Sequence, residues 1–167
     1  MLMSEATFAT GKKILVVDDN PVILKTMALA LGNKGYKVFT AEGASEAFGV
    51  TRQENPDLIL LDIFFPPDID QNGMTWNAFR IIEWMHRIGV APGIPIIIIS
   101  SAEPDQFKNR CLDAGAVAFF QKPINVPELL DTIHEVLSRE KVVDSETTLA
   151  FMQHVAGSAA ASLPKLV

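Results

Sequence analysis

The chain reads as an α/β protein, a five-stranded parallel sheet with helices on both faces, and three observations carry that reading. Strand-like and helix-like patterns alternate from residue 13 to about 140, the order that builds a parallel sheet wrapped by helices. The strand-like runs, Ile14-Leu15-Val16-Val17, Leu58-Ile59-Leu60-Leu61 and Ile96-Ile97-Ile98-Ile99, are aliphatic without polar alternation, as strands covered on both faces must be. Two of them end abruptly in acid, at Asp18-Asp19 and at Asp62, and Lys122-Pro123 follows Phe119-Phe120. In an open parallel sheet the carboxyl edge is where sites form, so these exits mark a candidate active site.

The elements follow in order. The first helix takes Asn20 as its N-cap and Pro21 at its first position, sets Leu24, Met27, Ala28 and Leu31 on one stripe and stops near Gly35. Tyr36 to Ala41 is the second strand, and Ala44 to Glu54 the second helix, with Ala44, Ala47, Phe48 and Thr51 inward and an end before Asn55-Pro56. Asp57 to Asp62 is the third strand. Ile63 to Gly73, with two prolines and an Asn-Gly pair, reads as a long irregular loop beside the site. The third helix is expected over about Thr75 to Arg87, burying Ala78, Ile81, Ile82 and Met85, and the fourth strand over Ile94 to Ile99. Pro104 opens a fourth helix that runs to about Ala114 and is closed by Gly115. Val117 to Phe120 is the fifth strand and Val126 to Leu137 the fifth helix.

The expected organisation is a flexible N-terminus over 1–11, one domain over 12–140 and an extension over 141–167 that is a short helix or disordered. In that extension Ser145 can cap a helix, and Leu149, Met152 and Val155 are spaced for one face. The 167 residues, 49% hydrophobic, suit a single core. A net charge of −6, with 14 basic residues scattered along the chain, argues against a nucleic-acid surface. Cys111 is the only cysteine, which excludes an internal disulfide and a cysteine-based zinc site. No run reaches the roughly 18 apolar residues that span a bilayer, and the N-terminus has no leader pattern, so a cytoplasmic protein without membrane contact is expected.

Carboxylates held close together repel unless a cation lies between them or one stays protonated. An all-oxygen set from Asp18, Asp19, Asp62 and a backbone carbonyl suits Mg²⁺, which keeps waters and shares phosphate oxygens. A carboxylate is also a nucleophile toward phosphorus when metal, ammonium and hydroxyl groups disperse the charge, and Mg²⁺, Lys122 and Ser101 would supply those three. Each piece has a plainer alternative. Asp18-Asp19 could cap a helix, Asp62 could be a loop acid, Ser101 could begin a helix and Lys122 could snorkel at the surface. All four stand in order at the ends of strands one, three, four and five, and that placement gives the set its weight.

These segments, with Ser100-Ser101-Ala102, Ala114-Gly115-Ala116 and Lys122-Pro123-Ile124 followed by Glu128-Leu129, resemble the CheY-like receiver domain of two-component response regulators over Lys13 to about Leu137. The resemblance implies a (βα)5 flavodoxin-like fold with strand order 2-1-3-4-5. It implies Asp62 as phosphoacceptor, Asp18 and Asp19 as the pair organising Mg²⁺, and the main-chain carbonyl of Phe64 as a further metal ligand. Ser101, preferred over Ser100 because it directly precedes Ala102, would bind the phosphoryl oxygen, and Lys122 would pair with it. Phe119 takes the switch-aromatic position, and Lys122-Pro123 resembles the family's cis peptide. A histidine kinase or phosphotransfer protein would donate to Asp62. Ser101 and Phe119 would then move inward together and change the surface around helix four, strand five and helix five, where an output protein binds. Dimerisation through the fourth and fifth helices stays open.

The chain departs from the family's pattern in the loop after Asp62, which is longer than usual over Phe64 to Trp76. Asp68 and Asp70 there read as a solvated acidic loop, and Phe64, Phe65 and the prolines as a hydrophobic contact. By the resemblance, Phe64 and Glu103 take positions that in the family flank the path of attacking water, so a bulky Phe64 should shield an acyl phosphate. With no room for an output domain, a stand-alone receiver that acts as a phosphoacceptor and not as an enzyme with an external substrate is expected. The competing classes are a pseudo-receiver that binds partners without phosphorylation and a haloacid-dehalogenase-type phosphatase. The phosphatase requires a second Asp where Phe64 stands.

Overall fold

The computed structural model describes residues 11–62, 68–69, 75–76, 82–83, 93–101 and 104–139. The aliphatic runs become the centre of a five-stranded parallel sheet: β1 (Lys13–Val17), β2 (Lys37–Ala41), β3 (Leu58–Asp62), β6 (Ile96–Ser100) and β7 (Ala118–Gln121). Their spatial order is β2-β1-β3-β6-β7, which is the 2-1-3-4-5 order. Helices α1 (Pro21–Gly32), α2 (Ala44–Glu54), α3 (Pro104–Asp113) and α4 (Val126–Arg139) cover it.

Alternation along each strand sorts the core into two layers. Ile14 and Val16, Leu58 and Leu60, and Ile97 and Ile99 face Leu24, Met27 and Leu31 of α1 and Leu129, Leu130, Ile133 and Leu137 of α4. Leu15 and Val17, Ile59 and Leu61, and Ile96 and Ile98 face Ala44 and Ala47 of α2, Ile82 and Cys111. Each fully buried aliphatic side chain contributes roughly 1.5–3 kcal/mol, so the central strands are the most firmly anchored part of the chain.

Helix ends are fixed by local chemistry. The Asn20 side chain accepts from the Val22 N–H at 2.9 Å, the capping role its position before Pro21 suggests. At the far end of α1 the Tyr36 N–H reaches the Leu31 carbonyl and the Gly35 N–H reaches that of Gly32, a closure that needs the positive φ of 88° at Gly35. The same pair of bonds, from Ala116 to Cys111 and from Gly115 to Leu112, ends α3. The left-handed residue beyond α2 is Asn55, at φ 48°.

Two expectations need correction. Thr75-Trp76 does not start a helix but forms strand β5 (Thr75–Trp76), antiparallel to β4 (Asp68–Ile69), with Asp68 opposite Trp76 and Ile69 opposite Thr75. The stretch after Asp62 therefore holds strand structure as well as loop. A β-branched Thr and a Trp favour strands, and Asn72-Gly73 between the two pairs is a hairpin signal. Ile82 and Glu83 are helical, with Ile82 fully buried as expected, whereas Ala78, Ile81 and Met85 lie outside the described residues. Phe64, Phe65, Asp70, Glu103 and the segments 1–10 and 140–167 lie outside them too.

Candidate acidic site at the carboxyl edge

The strand register places the charged exits side by side. Val17 is paired with Leu61, so Asp18, one residue beyond Val17, and Asp62, one beyond Leu61, leave adjacent strands at the same level. Asp18 is 2% and Asp62 4% exposed, while Asp19 faces solvent. One carboxylate oxygen from each of the three lies within 4.8 Å of the others. The Asp18 N–H donates to the Ala41 carbonyl at 3.1 Å, continuing the β1–β2 ladder, and the Asn20 N–H donates to Asp18 Oδ1 at 2.9 Å. The Asp18 carboxylate is thereby held at the mouth of α1.

Lys122 comes from the other side of the sheet. Its N–H donates to the Ser100 carbonyl at 2.7 Å, which ties the residue after β7 to the last residue of β6. The Lys122–Pro123 peptide is cis. Its Nζ donates to Asp18 Oδ2 at 2.6 Å and to Asp62 Oδ2 at 2.8 Å. Burial alone would lower the pKa of this ammonium, but the hydrogen bonds and charges of Asp18 and Asp62 outweigh it and hold the pKa above the ordinary 10.5. Among the described residues, one cation thus serves two buried carboxylates, with the third beside them, and this group of side chains carries a net negative charge that a divalent cation would neutralise.

Of the remaining predicted residues, Ser101 and Phe119 are described. Ser100 is buried at the end of β6, and Ser101, just beyond it, is exposed. Phe119 is partly buried in edge strand β7, against the layer that includes Leu15, Val17 and Cys111. Phe64 lies outside the described residues. Sequence reasoning missed that Lys122 engages Asp18 as well as the neighbourhood of Asp62, and that the Asn20 N–H orients Asp18. The first contact spans 104 positions and has no local signal, whereas the second is a two-residue step that an Asp-Asp-Asn-Pro turn could have suggested.

Five parallel strands in this order, with acids ending the first and third and a cis Lys-Pro after the fifth, agree with a sequence comparison: the family model of the response regulator receiver domain matches residues 14–134. The chain belongs to that family. Protein PilH of Pseudomonas aeruginosa is 30% identical over 126 residues, which are 75% of this chain and 98% of that protein. The phosphate regulon transcriptional regulatory protein PhoB of the same organism is 32% identical over 139 residues, 83% of this chain and 57% of PhoB. Against the probable transcriptional regulatory protein TcrX of Mycobacterium tuberculosis the match covers 55% of the relative, so this receiver spans little more than half the length of those two regulators. Among solved structures, a CheY-like receiver domain protein from Methanospirillum hungatei is 30% identical, with a TM-score of 0.67 over 79% of this chain and 98% of that one. A receiver from Clostridium thermocellum, at 22% identity and a TM-score of 0.69, shares the fold. Among the described residues, no helix of this receiver is long and apolar enough to cross a membrane.

Proposed function

We propose that this receiver is a cytoplasmic phosphoacceptor in which Asp62 takes a phosphoryl group from a phosphohistidine on a histidine kinase or phosphotransfer protein. An Asp62 oxygen attacks phosphorus. The P–N bond breaks with its electron pair staying on the imidazole, which takes up a proton, and the new P–O bond leaves an acyl phosphate on Asp62. The observation that supports this most is the Lys122 ammonium held against both Asp18 and Asp62 inside an acidic trio. From there it can follow the developing negative charge onto a phosphoryl oxygen, while the Ser101 hydroxyl, at the next strand exit, donates to another.

The donor set fits Mg²⁺: Asp18, Asp19 and Asp62 offer hard oxygen ligands within 4.8 Å of one another, and among the described residues no nitrogen or sulfur ligand joins the cluster. The main-chain carbonyl of Phe64 is a further proposed ligand. When bound, the ion neutralises charge on the transferring group. Phosphorylation then shifts Ser101 and Phe119 toward the site and alters the surface formed by α3, β7 and α4, to which an output protein binds or through which two copies pair. The chain has no external substrate to turn over and catalyses only its own phosphorylation and dephosphorylation.

Incubation with Mg²⁺ and acetyl phosphate, followed by intact mass measurement, tests this. One phosphoryl mass gain is expected, absent without Mg²⁺ and absent in Asp62→Asn. No gain in the natural chain would favour the pseudo-receiver, and steady turnover of phosphate esters would favour a phosphatase; either result overturns the proposal.

A further inference from the structure

The Lys122 ammonium already holds the oxygen that Asp18 would give to a metal. Both oxygens of this carboxylate are engaged: Oδ1 accepts from the Asn20 N–H at 2.9 Å and Oδ2 from Lys122 Nζ at 2.6 Å. The contact from Nζ to Asp62 Oδ2 is the longer of the two, at 2.8 Å. Lys122 is therefore bound at least as closely to a proposed metal ligand as to the proposed phosphoacceptor. The three side chains are 15%, 3% and 5% exposed for Lys122, Asp18 and Asp62, so water and salt screen little of the attraction.

The Asn20 N–H fixes which way the Asp18 carboxylate turns. Asn20 is itself held at the mouth of α1, where its side chain accepts from the Val22 N–H at 2.9 Å. Oδ1 is thereby committed to the helix and Oδ2 is the oxygen on the side of Asp62, where the ammonium bridges the two acids. A carboxylate oxygen has two lone pairs and can accept twice. Shared here, a Mg²⁺ at about 2.1 Å and an ammonium at 2.6 Å from one oxygen would stand less than about 5 Å apart, two cations in a poorly screened place. The lysine is the partner that can yield. Its main-chain N–H is fixed to the Ser100 carbonyl at 2.7 Å, but the ammonium rides on a four-carbon stem that swings without any change of backbone.

We infer that Lys122 is a built-in counter-ion of Asp18 that competes with the metal, so that a divalent cation binding the acidic trio displaces the ammonium from Asp18 Oδ2 and leaves it on Asp62 alone. This rests on the reading of Asp18, Asp19 and Asp62 as Mg²⁺ ligands and adds a direct coupling between the ion and the lysine. The cation then does more than neutralise charge: it directs Lys122 to the carboxylate that accepts the phosphoryl group. The coupling is reciprocal, so removing the ammonium tightens the cation by the same factor as the cation weakens the Lys122–Asp18 bond.

Calorimetric titration of the full chain with magnesium chloride tests it. Lys122→Gln, which keeps a hydrogen-bond donor without the charge, should bind Mg²⁺ about tenfold more tightly than the natural chain, within the usual range for coupled sites. Lys25→Gln removes the same charge from an exposed position on α1 and should bind within about twofold of the natural chain, because salt screens so exposed a charge. A second measurement uses the natural chain alone. The NMR scalar coupling carried across the hydrogen bond from Lys122 Nζ to the Asp18 carboxylate carbon should be present before Mg²⁺ is added and lost at saturation, while the coupling to the Asp62 carboxylate persists. Mg²⁺ bound no more tightly by Lys122→Gln than by Lys25→Gln overturns the inference and leaves the metal reading standing, as does a Lys122–Asp18 coupling that survives saturation. No Mg²⁺ binding by the natural chain overturns both.

Discussion

The two edges of the sheet use the same chemistry to opposite ends. At the amino edge Lys12 Nζ meets Asp57 Oδ1 at 2.6 Å, the Lys13 N–H donates to Asp57 Oδ2 at 2.8 Å, and the Lys13 ammonium reaches the Glu54 carbonyl at 2.7 Å. Lys37 lies 4.0 Å from the Glu54 carboxylate. Three lysines thus face two acids, all partly exposed, and the cluster ties the starts of β1, β2 and β3 to the end of α2. At the carboxyl edge the ratio reverses among the described residues: one lysine faces three acids, of which Asp18 and Asp62 are almost wholly buried. Acid–lysine contacts alone do not distinguish a site from a clasp. What distinguishes them is the sign of the leftover charge and whether water can screen it.

The comparison breaks most sharply at the lysines. Lys122→Met removes the cation that bridges two buried carboxylates and is expected to lower stability at neutral pH by about 3 kcal/mol, the usual cost of leaving a buried charge uncompensated. Lys12→Met cuts a pair whose side chains are 29% and 28% exposed and should cost less than about 1 kcal/mol. Urea denaturation of the two variants beside the natural chain measures both. Equal losses would mean that the carboxyl edge is no more desolvated than the amino edge.

Metal sharpens the same contrast. Mg²⁺ at about a hundred times its dissociation constant should stabilise the fold by about 2.7 kcal/mol, read as a rise in the urea midpoint. Asp18→Asn should remove most of that rise. Asp57→Asn should leave it intact, because Asp57 stands at the opposite end of β3 from the acidic trio. Asp57→Asn should itself cost about 1–2 kcal/mol, since this carboxylate accepts from a backbone N–H as well as from Lys12.

How far the two edges could be read in the sequence follows from the physics of each. The carboxyl edge was legible because a fully buried strand tolerates no charge inside it, so Asp18 and Asp62 announce themselves as exits, while Lys122 stands out only as the charge that follows the apolar Ala118-Phe119-Phe120 run. Helix α2 came out at Ala44–Glu54 because its inward face and its Asn55-Pro56 stop are both local. The amino edge was not legible. Lys12, Lys13, Glu54 and Asp57 are ordinary charged residues at element boundaries, and only the parallel register of β1 beside β3 brings them together. The β4–β5 ribbon was missed for another reason: two-residue strands are too short to show period-two alternation, and the two prolines just before them argued for a loop. Ser101 stands just past β6 and Phe119 within β7, and the movement proposed for them rests on a second state of the molecule.

The smallest expected effect appears only in alkali, and each edge contributes to it by a different route. Tyr36, which leads into β2 at the amino edge and is 5% exposed, has its phenol pKa raised by burial, which disfavours the charged phenolate. Lys122 at the carboxyl edge has its pKa raised although burial opposes it, because Asp18 and Asp62 favour the charged ammonium. In both cases the folded chain holds its proton more tightly than the unfolded one. The stability from each is therefore fully present below the unfolded value, about 10 for either group, and is lost as pH rises through the folded value. Denaturation midpoints should hold flat through neutrality as far as these two groups are concerned and fall above about pH 10. Tyr36→Phe should remove part of that fall without touching the response to Mg²⁺, whereas Lys122→Met should remove another part and alter the response to Mg²⁺ as well. An alkaline limb unchanged in Tyr36→Phe would show that burial at the amino edge does not govern that phenol.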